Sequence, residues 1–306
     1  MFDTMYPADS VEFCPHENLQ DIFVVGTYKL DQGVAVEGGD DERRNSQHRR
    51  GQCRVFRMDV QSNGTDLQTP GTKLGSLVVS LSDGSLSLLR PENGTGPLSV
   101  ESSWHAHDYE PWIAAWNYWD TNVVFSGGDD LQMKGWDIRE DLVKPIFVNK
   151  RFDAGITAIQ SHPYVENLIA VGRQVHFSSF INLRQQVISS YDNIVRLFDI
   201  RKPSVPISQI DVGGGAWRVK WHPSSTRKND LLVACMHDGF KIVSFSHLLS
   251  DNPLNVSAGN GKIVKRFDEH ESLAYGVDWS YAMSEGEHTV IASCSFYDHL
   301  LHTWSG

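Results

Sequence analysis

Short strands of alternating character, turn acids that recur in five copies, and a repeat of roughly forty residues or more together predict an all-β fold, a WD-repeat β-propeller. The chain has 306 residues, 40% hydrophobic and 21% charged, a composition that suits a soluble globular protein with a large core. Its longest apolar runs, such as Ile22 to Val25 and Leu231 to Cys235, are strand-sized. They fall well short of the roughly 20 residues needed to span a bilayer.

Each unit of the repeat opens with an apolar strand that leads into a polar or proline turn. These strands read SVEFCP from Ser10, WIAAWNYW from Trp112, ITAIQSHP from Ile156, WRVKWHP from Trp217 and YGVDWS from Tyr275. The strands and turns that follow read VVSLSDGSLSLL from Val78, VVFSGGDDLQMKGWD from Val123, SYDNIVRLFD from Ser190, LLVACMHDGFKIVSF from Leu231 and IASCSFYDHLLHTW from Ile291. Five turn acids align: Asp83, Asp130, Asp192, Asp238 and Asp298. Trp136, Phe198 and Trp304 follow their acids at one spacing, and two of them run on into Asp137 and Asp199, the WD-like ending.

Seven blades are expected in a ring of this family, and about six are recognisable here. The expectation is one domain over 1–306, with a polar loop at 31–52, an apparent missing blade near 60–74 and an atypical insert at 173–189. The first unit runs from Ser10 to Asp59 around that polar loop.

Four cysteines, Cys14, Cys53, Cys235 and Cys294, lie far apart and form no CxxC pair. Buried thiols are expected rather than a zinc site or a disulfide framework, and neither a metal nor a cofactor is expected. The net charge of −11 disfavours a nucleic-acid backbone and accommodates a cationic partner. Asp3, Asp9 and Glu12 stand where a secretory signal needs a basic start and an apolar stretch, so the cytoplasm is the expected compartment.

Residues that repeat at one register in every blade are explained by architecture. The turn acids, the core tryptophans Trp116, Trp221 and Trp279, and His107 in an Ala-His pair before a first strand are therefore expected to be structural. What departs from the repeat is more informative. Trp112, Trp217 and Tyr275 stand four residues before a core tryptophan, with Asp9 and Thr157 at that register in two other units. Even spacing puts each aromatic on the strand face of its tryptophan, one end nearer the opening, which predicts an incomplete aromatic ring at a channel mouth. The loops of the same face add Asp129, Tyr191, His237, Tyr297 and His299, while Glu110 and Arg218 flank the aromatic positions. His237 and His299 have no counterpart in the other blades and stand out as candidates for chemistry.

Several of these segments resemble one family. EPWIAAWNYWDTNVVFSGGDD from Glu110, GGGAWRVKWHP from Gly213, LLVACMHDGFKI from Leu231, IASCSFYDHLLHTW from Ile291, ADSVEFCP from Ala8 and VVGTYKL from Val24 are similar to the WD-repeat diphthine methyl ester hydrolases. The resemblance spans most of the chain outside residues 31–75 and 173–189. It implies a carboxylic ester hydrolase acting in diphthamide biosynthesis on elongation factor 2, releasing methanol from methylated diphthine. That side chain carries a trimethylammonium group, which aromatic faces hold by roughly 0.5–2 kcal/mol per contact. Trp112, Trp217, Tyr275 and Tyr297 are the expected substrate contacts, with Glu110, Asp9 and Asp129 adding favourable charge. Neither GxSxG nor HExxH is present, so the expected chemistry is water activated by His237 or His299 with Arg218 or backbone amides at the oxyanion. Ser295 or Cys294 as a covalent nucleophile is the weaker route. The alternative function is a non-catalytic WD-repeat scaffold for protein partners, because most propellers are interaction platforms. A monomer is expected.

Overall fold

A computed structural model of the protein describes residues 2–15, 19–31, 48–58, 76–94, 98–174, 193–245, 261–282 and 288–306. The expected missing blade near 60–74 lies outside these residues, as do the interior of the polar loop and residues 175–189 of the insert. The outer ends of that loop are strand instead. Asp31 closes one strand and residues 48–52 begin the next, because the ladder continues from Ile22↔Arg57 through to Asp31↔His48.

The chain divides into two compact units, Met1–Val60 with Asp268–Gly306, and Gln61–Phe267. The first unit begins with β1 (Phe2–Asp3), β2 (Ala8–Phe13), β3 (Ile22–Asp31) and β4 (His48–Arg57). The second contains β5 (Leu77–Ser80), β6 (Ser85–Pro91), β7 (Leu98–His105), β8 (Pro111–Trp116), β9 (Val123–Gly128), β10 (Met133–Asp137) and β11 (Phe147–Asn149). It continues with β12 (Gly155–Ser161), β13 (Leu168–Gln174), β14 (Ile194–Asp199), β15 (Pro206–Asp211), β16 (Ala216–Trp221), β17 (Asp230–Cys235), β18 (Phe240–Ser244) and β19 (Lys262–Phe267). The first unit resumes with β20 (Ala274–Trp279), β21 (Val290–Ser295) and β22 (Leu300–Ser305). The fold class is the expected one, all-β and of WD-repeat propeller type. Helix among the described residues is limited to single 3-10 turns at Glu92–Gly94 and Ser225–Arg227.

Among the described residues these strands form six antiparallel sheets of blade type. The first unit holds β2-β3-β4 and a four-stranded sheet in which β1 pairs with β22 beside β21 and β20. The second holds β5-β6-β7 and the four-stranded sheets β8 to β11, β12 to β15 and β16 to β19. Sequence pattern follows position within a blade. The inner strands β9, β13 and β17 are almost wholly buried and read as continuous apolar runs, whereas the outer β19 is largely exposed and carries Lys262, Lys265 and Arg266. In the second unit Leu197, Val219, Leu231, Val233 and Phe245 join two neighbouring blades in one core. In the first, Val11, Phe13, Val25, Ala292 and Cys294 do the same. Close approach there depends on Gly276, where a Cβ would meet the Ser10 carbonyl carbon at 2.7 Å.

The repeated polar residues lock the blades. His107 lies with Nδ1 2.9 Å from Asp130 and Nε2 2.7 Å from Ser126 Oγ, which also accepts from Trp136 Nε1 at 2.9 Å. Every member is buried or nearly so, which satisfies the polar atoms of two strands and a turn at once. Burial pushes the Asp130 carboxyl up, but the hydrogen bond and charge of His107, with Lys134 behind them, hold it below the usual carboxylate range. In the first unit His270 takes the place of His107. It reaches Ser295 Oγ and, at 2.8 Å, Ser293 Oγ, which accepts from Trp304 Nε1 at 3.1 Å, while Ser295 donates to Asp298. His270 is a structural residue that the repeat pattern leaves unmarked.

A second repeated device closes the turn after four of the first strands, β8, β12, β16 and β20. Asn117, His162, His222 and Ser280 occupy one position, and each accepts the backbone N–H two residues on. His162 Nδ1 also accepts from Val165 N, while its Nε2 lies 2.8 Å from the Lys228 carbonyl. The turn chemistry is thus interchangeable among Asn, His and Ser, as local side-chain to backbone bonding allows.

Candidate functional site

The mouth register is built from β-bulges. In five first strands the Cα pairing skips one residue: Asp9 between Ala8 and Ser10, Trp112 between Pro111 and Ile113, Thr157 between Ile156 and Ala158, Trp217 between Ala216 and Arg218, and Tyr275 between Ala274 and Gly276. The sequence alignment of these five positions is therefore structural fact, but the even-spacing argument for their direction fails. An inserted residue breaks the alternation, and the bulge itself aims the side chain.

In the second unit Trp112 and Trp217 come together, with ring centroids 5.3 Å apart at an interplanar angle of 56°. Their strands belong to different blades, separated by the blade that carries Thr157. Thr157 Oγ1 donates to the Ala216 carbonyl at 2.6 Å, and Arg218 Nη1 donates to the carbonyls of Thr157 and Trp217 at 3.3 and 3.0 Å. The Arg218 guanidinium carbon lies 5.5 Å from the Trp217 ring centroid, so this ring already receives a cation. Trp217 is 5% exposed and Trp112 more open, which makes the pair a half-covered platform rather than an open cage. Glu110 and Asp129 sit beside it, joined by the Asp129 N–H donating to the Glu110 carbonyl at 3.0 Å. His237 is exposed in the β17–β18 turn, at the Trp217 end of its blade, where Met236 N donates to Gly215 O.

In the first unit Tyr275 is 8% exposed and packs edge-on to Phe296 at 4.7 Å, while Phe296 meets Tyr297 at 4.9 Å. Tyr297 is 71% exposed. Phe296 is the member that sequence reasoning missed. Its signal is an apolar residue inside a turn, directly before Tyr297 and the turn acid Asp298. His299 is half-buried at φ +58°, and its carbonyl accepts from Thr4 N at 2.8 Å. A left-handed non-glycine residue marks local strain that its surroundings maintain. Asp9 is partly exposed on its bulge, and Tyr191 lies outside the described residues.

Ser295 and Cys294 are fully buried, the first inside the His270 network and the second in the core of its unit. The covalent-nucleophile route is corrected accordingly, since a substrate carbonyl reaches neither atom. Cys235 is also buried, while Cys14 is half-buried. Among the described residues there is no group of three or more His, Cys, Asp or Glu side chains arranged to hold a metal ion, and no helix long and apolar enough to cross a membrane.

No protein-family model matches the chain. It is similar to the diphthine methyltransferase homolog of Dictyostelium discoideum, 38% identical over 259 residues that cover 80% of this chain and 63% of the relative. It is also similar to the diphthine methyltransferases of Mus musculus, at 38% identity over 67% of this chain and 38% of the relative, and of Homo sapiens, at 34% over 76% and 45%. The chain thus spans between about two-fifths and three-fifths of the length of these curated relatives. Among solved structures it is similar to a chain in the crystal structure of the mitotic checkpoint complex, with a TM-score of 0.60, 15% identity and coverage of 100% of this chain and 89% of that one. This second likeness is one of fold alone.

The relatives correct the expected reaction. They are named methyltransferases, so the expectation of a carboxylic ester hydrolase is overturned. His237, His299 and Arg218 lose the roles of water activator and oxyanion donor that only hydrolysis gave them. What remains is a chain of WD-repeat propeller class, and at 38% identity over 80% of its length it belongs to the family of proteins named diphthine methyltransferase.

Proposed function

We propose that the chain works on diphthine of elongation factor 2 in diphthamide biosynthesis, in the methyl-transfer reaction for which its relatives are named. The observation that carries this reading is the Trp112–Trp217 platform on two bulged strands. Diphthine presents a trimethylammonium group, which cannot donate a hydrogen bond and is recognised through aromatic faces and nearby negative charge. Trp112 offers the more open face and Glu110 and Asp129 supply the charge, while the Trp217 ring is engaged by the Arg218 guanidinium. His237 contacts the substrate peptide from its exposed turn. The protein works in the cytoplasm with elongation factor 2 as its macromolecular partner.

The test incubates the chain with elongation factor 2 carrying diphthine intermediates, with and without S-adenosylmethionine, and follows the modified peptide by mass spectrometry. A donor-dependent gain of methyl mass that Trp112→Ala slows supports the proposal. A complex that leaves the mass unchanged favours the scaffold reading, for which the propeller fold is equally suited. A decrease in mass, or no complex at all, overturns methyl transfer by this chain.

A further inference from the structure

We propose that a cleft of about 230 Å³ between the outer strands of two neighbouring blades docks an acidic segment of a protein partner. Arg151, just after β11, and Arg196, on β14, line it together with Gln209, Ser204, Val205 and Phe198. No acid is among its lining residues, in a chain whose net charge is −11. The arginines differ in what they already hold. Arg57, Arg90, Arg139, Arg201, Arg227 and Arg266 each end on a carboxylate within 3.0 Å. The Arg151 guanidinium instead donates to the Ser204 carbonyl at 3.5 Å, and among the described residues it forms no ion pair.

Arg151 is also held in place. Its N–H donates to Asn149 Oδ1 at 2.9 Å, and the buried Asn149 donates onward to the Pro203 carbonyl at 2.7 Å, tying one blade to the next beside the cleft. Arg196 Nε donates to Gln209 Oε1 at 3.3 Å, which fixes the plane of the second guanidinium. Burial pushes the Arg196 pKa down, and the Asp153 carboxylate nearby offsets part of that shift. Two guanidiniums and a side-chain amide around a small cleft match the planar, bidentate geometry of carboxylates. Exposed Val205 at the rim and Phe198 at the wall give the aliphatic stem of a glutamate somewhere to pack.

The probe is a fluorescein-labelled peptide of alternating Glu and Gly, with a matched Gln and Gly control, titrated by anisotropy against the whole chain. The acidic peptide is expected to bind and the control not to. Arg151→Glu, an exposed substitution, should weaken binding roughly tenfold or more, with Arg151→Lys falling between the two. Trp112→Ala should leave this binding unchanged, which separates the cleft from the diphthine platform. Equal binding of both peptides, insensitivity to Arg151→Glu, or binding of inorganic phosphate without the acidic peptide would each overturn the proposal.

Discussion

Acidification is expected to destabilise the second unit through His162 and His222, the two turn-closing histidines that are almost fully buried. Burial lowers the pKa of each from 6.5 to about 4. At His162 the geometry shows why. Nδ1 accepts two backbone N–H groups at 2.9 Å, so a proton there would displace both, while Nε2 faces the Lys228 carbonyl. Because the folded values lie below the unfolded one, the unfolded chain takes up protons first. The stabilisation is full above pH 6.5 and is lost as the pH falls to about 4. A pKa unit is worth about 1.4 kcal/mol, so each histidine gives up about 3 kcal/mol over that window. Neither is among the charges that shift the other, so the two add to about 6 kcal/mol. That is a large part of the stability of an ordinary domain, about 5–15 kcal/mol. The assay is urea unfolding followed by circular dichroism at about pH 7 and about pH 4, on the wild type and on His162→Asn/His222→Asn. Asn117 fills the same position in a neighbouring blade, so the substitution keeps the turn and removes the titration. Carboxylate titration is common to both proteins and cancels. Parallel loss of stability in wild type and double variant would refute the reasoning.

Three further outcomes are expected. Ser126→Ala strips the shared partner from His107 and Trp136 and should cost about 2–4 kcal/mol by urea unfolding, since it leaves two buried polar atoms unsatisfied. Gly276→Ala places a methyl 2.6 Å from Cys294 Sγ and 2.7 Å from the Ser10 backbone, and should lower stability by about 1–3 kcal/mol, because the nearest backbone has little room to yield. Trp112→Ala should weaken binding of a trimethyllysine peptide, measured by calorimetry, by a factor of about 2 to 30, the range expected for one cation–π contact.

The primary sequence determined the class of the fold because blade strands differ in burial, and burial is written into residue type. The apolar runs of β9 and β17, the turn acid Asp130 and the tryptophan Trp136 could be placed from their spacing alone. The five mouth positions were legible too, as residues at one register. Their directions were not. A bulge is one inserted residue in a ladder, invisible until the partner strand is known, and it is the bulge that turns Trp112 toward Trp217 across the blade between them. His270 and Phe296 escaped notice because their partners, Ser293 and Tyr275, are distant in sequence or offset in register. Ser295 and Cys294 looked available as nucleophiles until packing closed over them. The cleft at Arg151 and Arg196 belongs wholly to tertiary structure, since charges 45 positions apart become one site only when adjacent blades pack side by side. Local pattern reports what each strand must bury, whereas a site is made by side chains from different strands, and only their packing decides which of them meet.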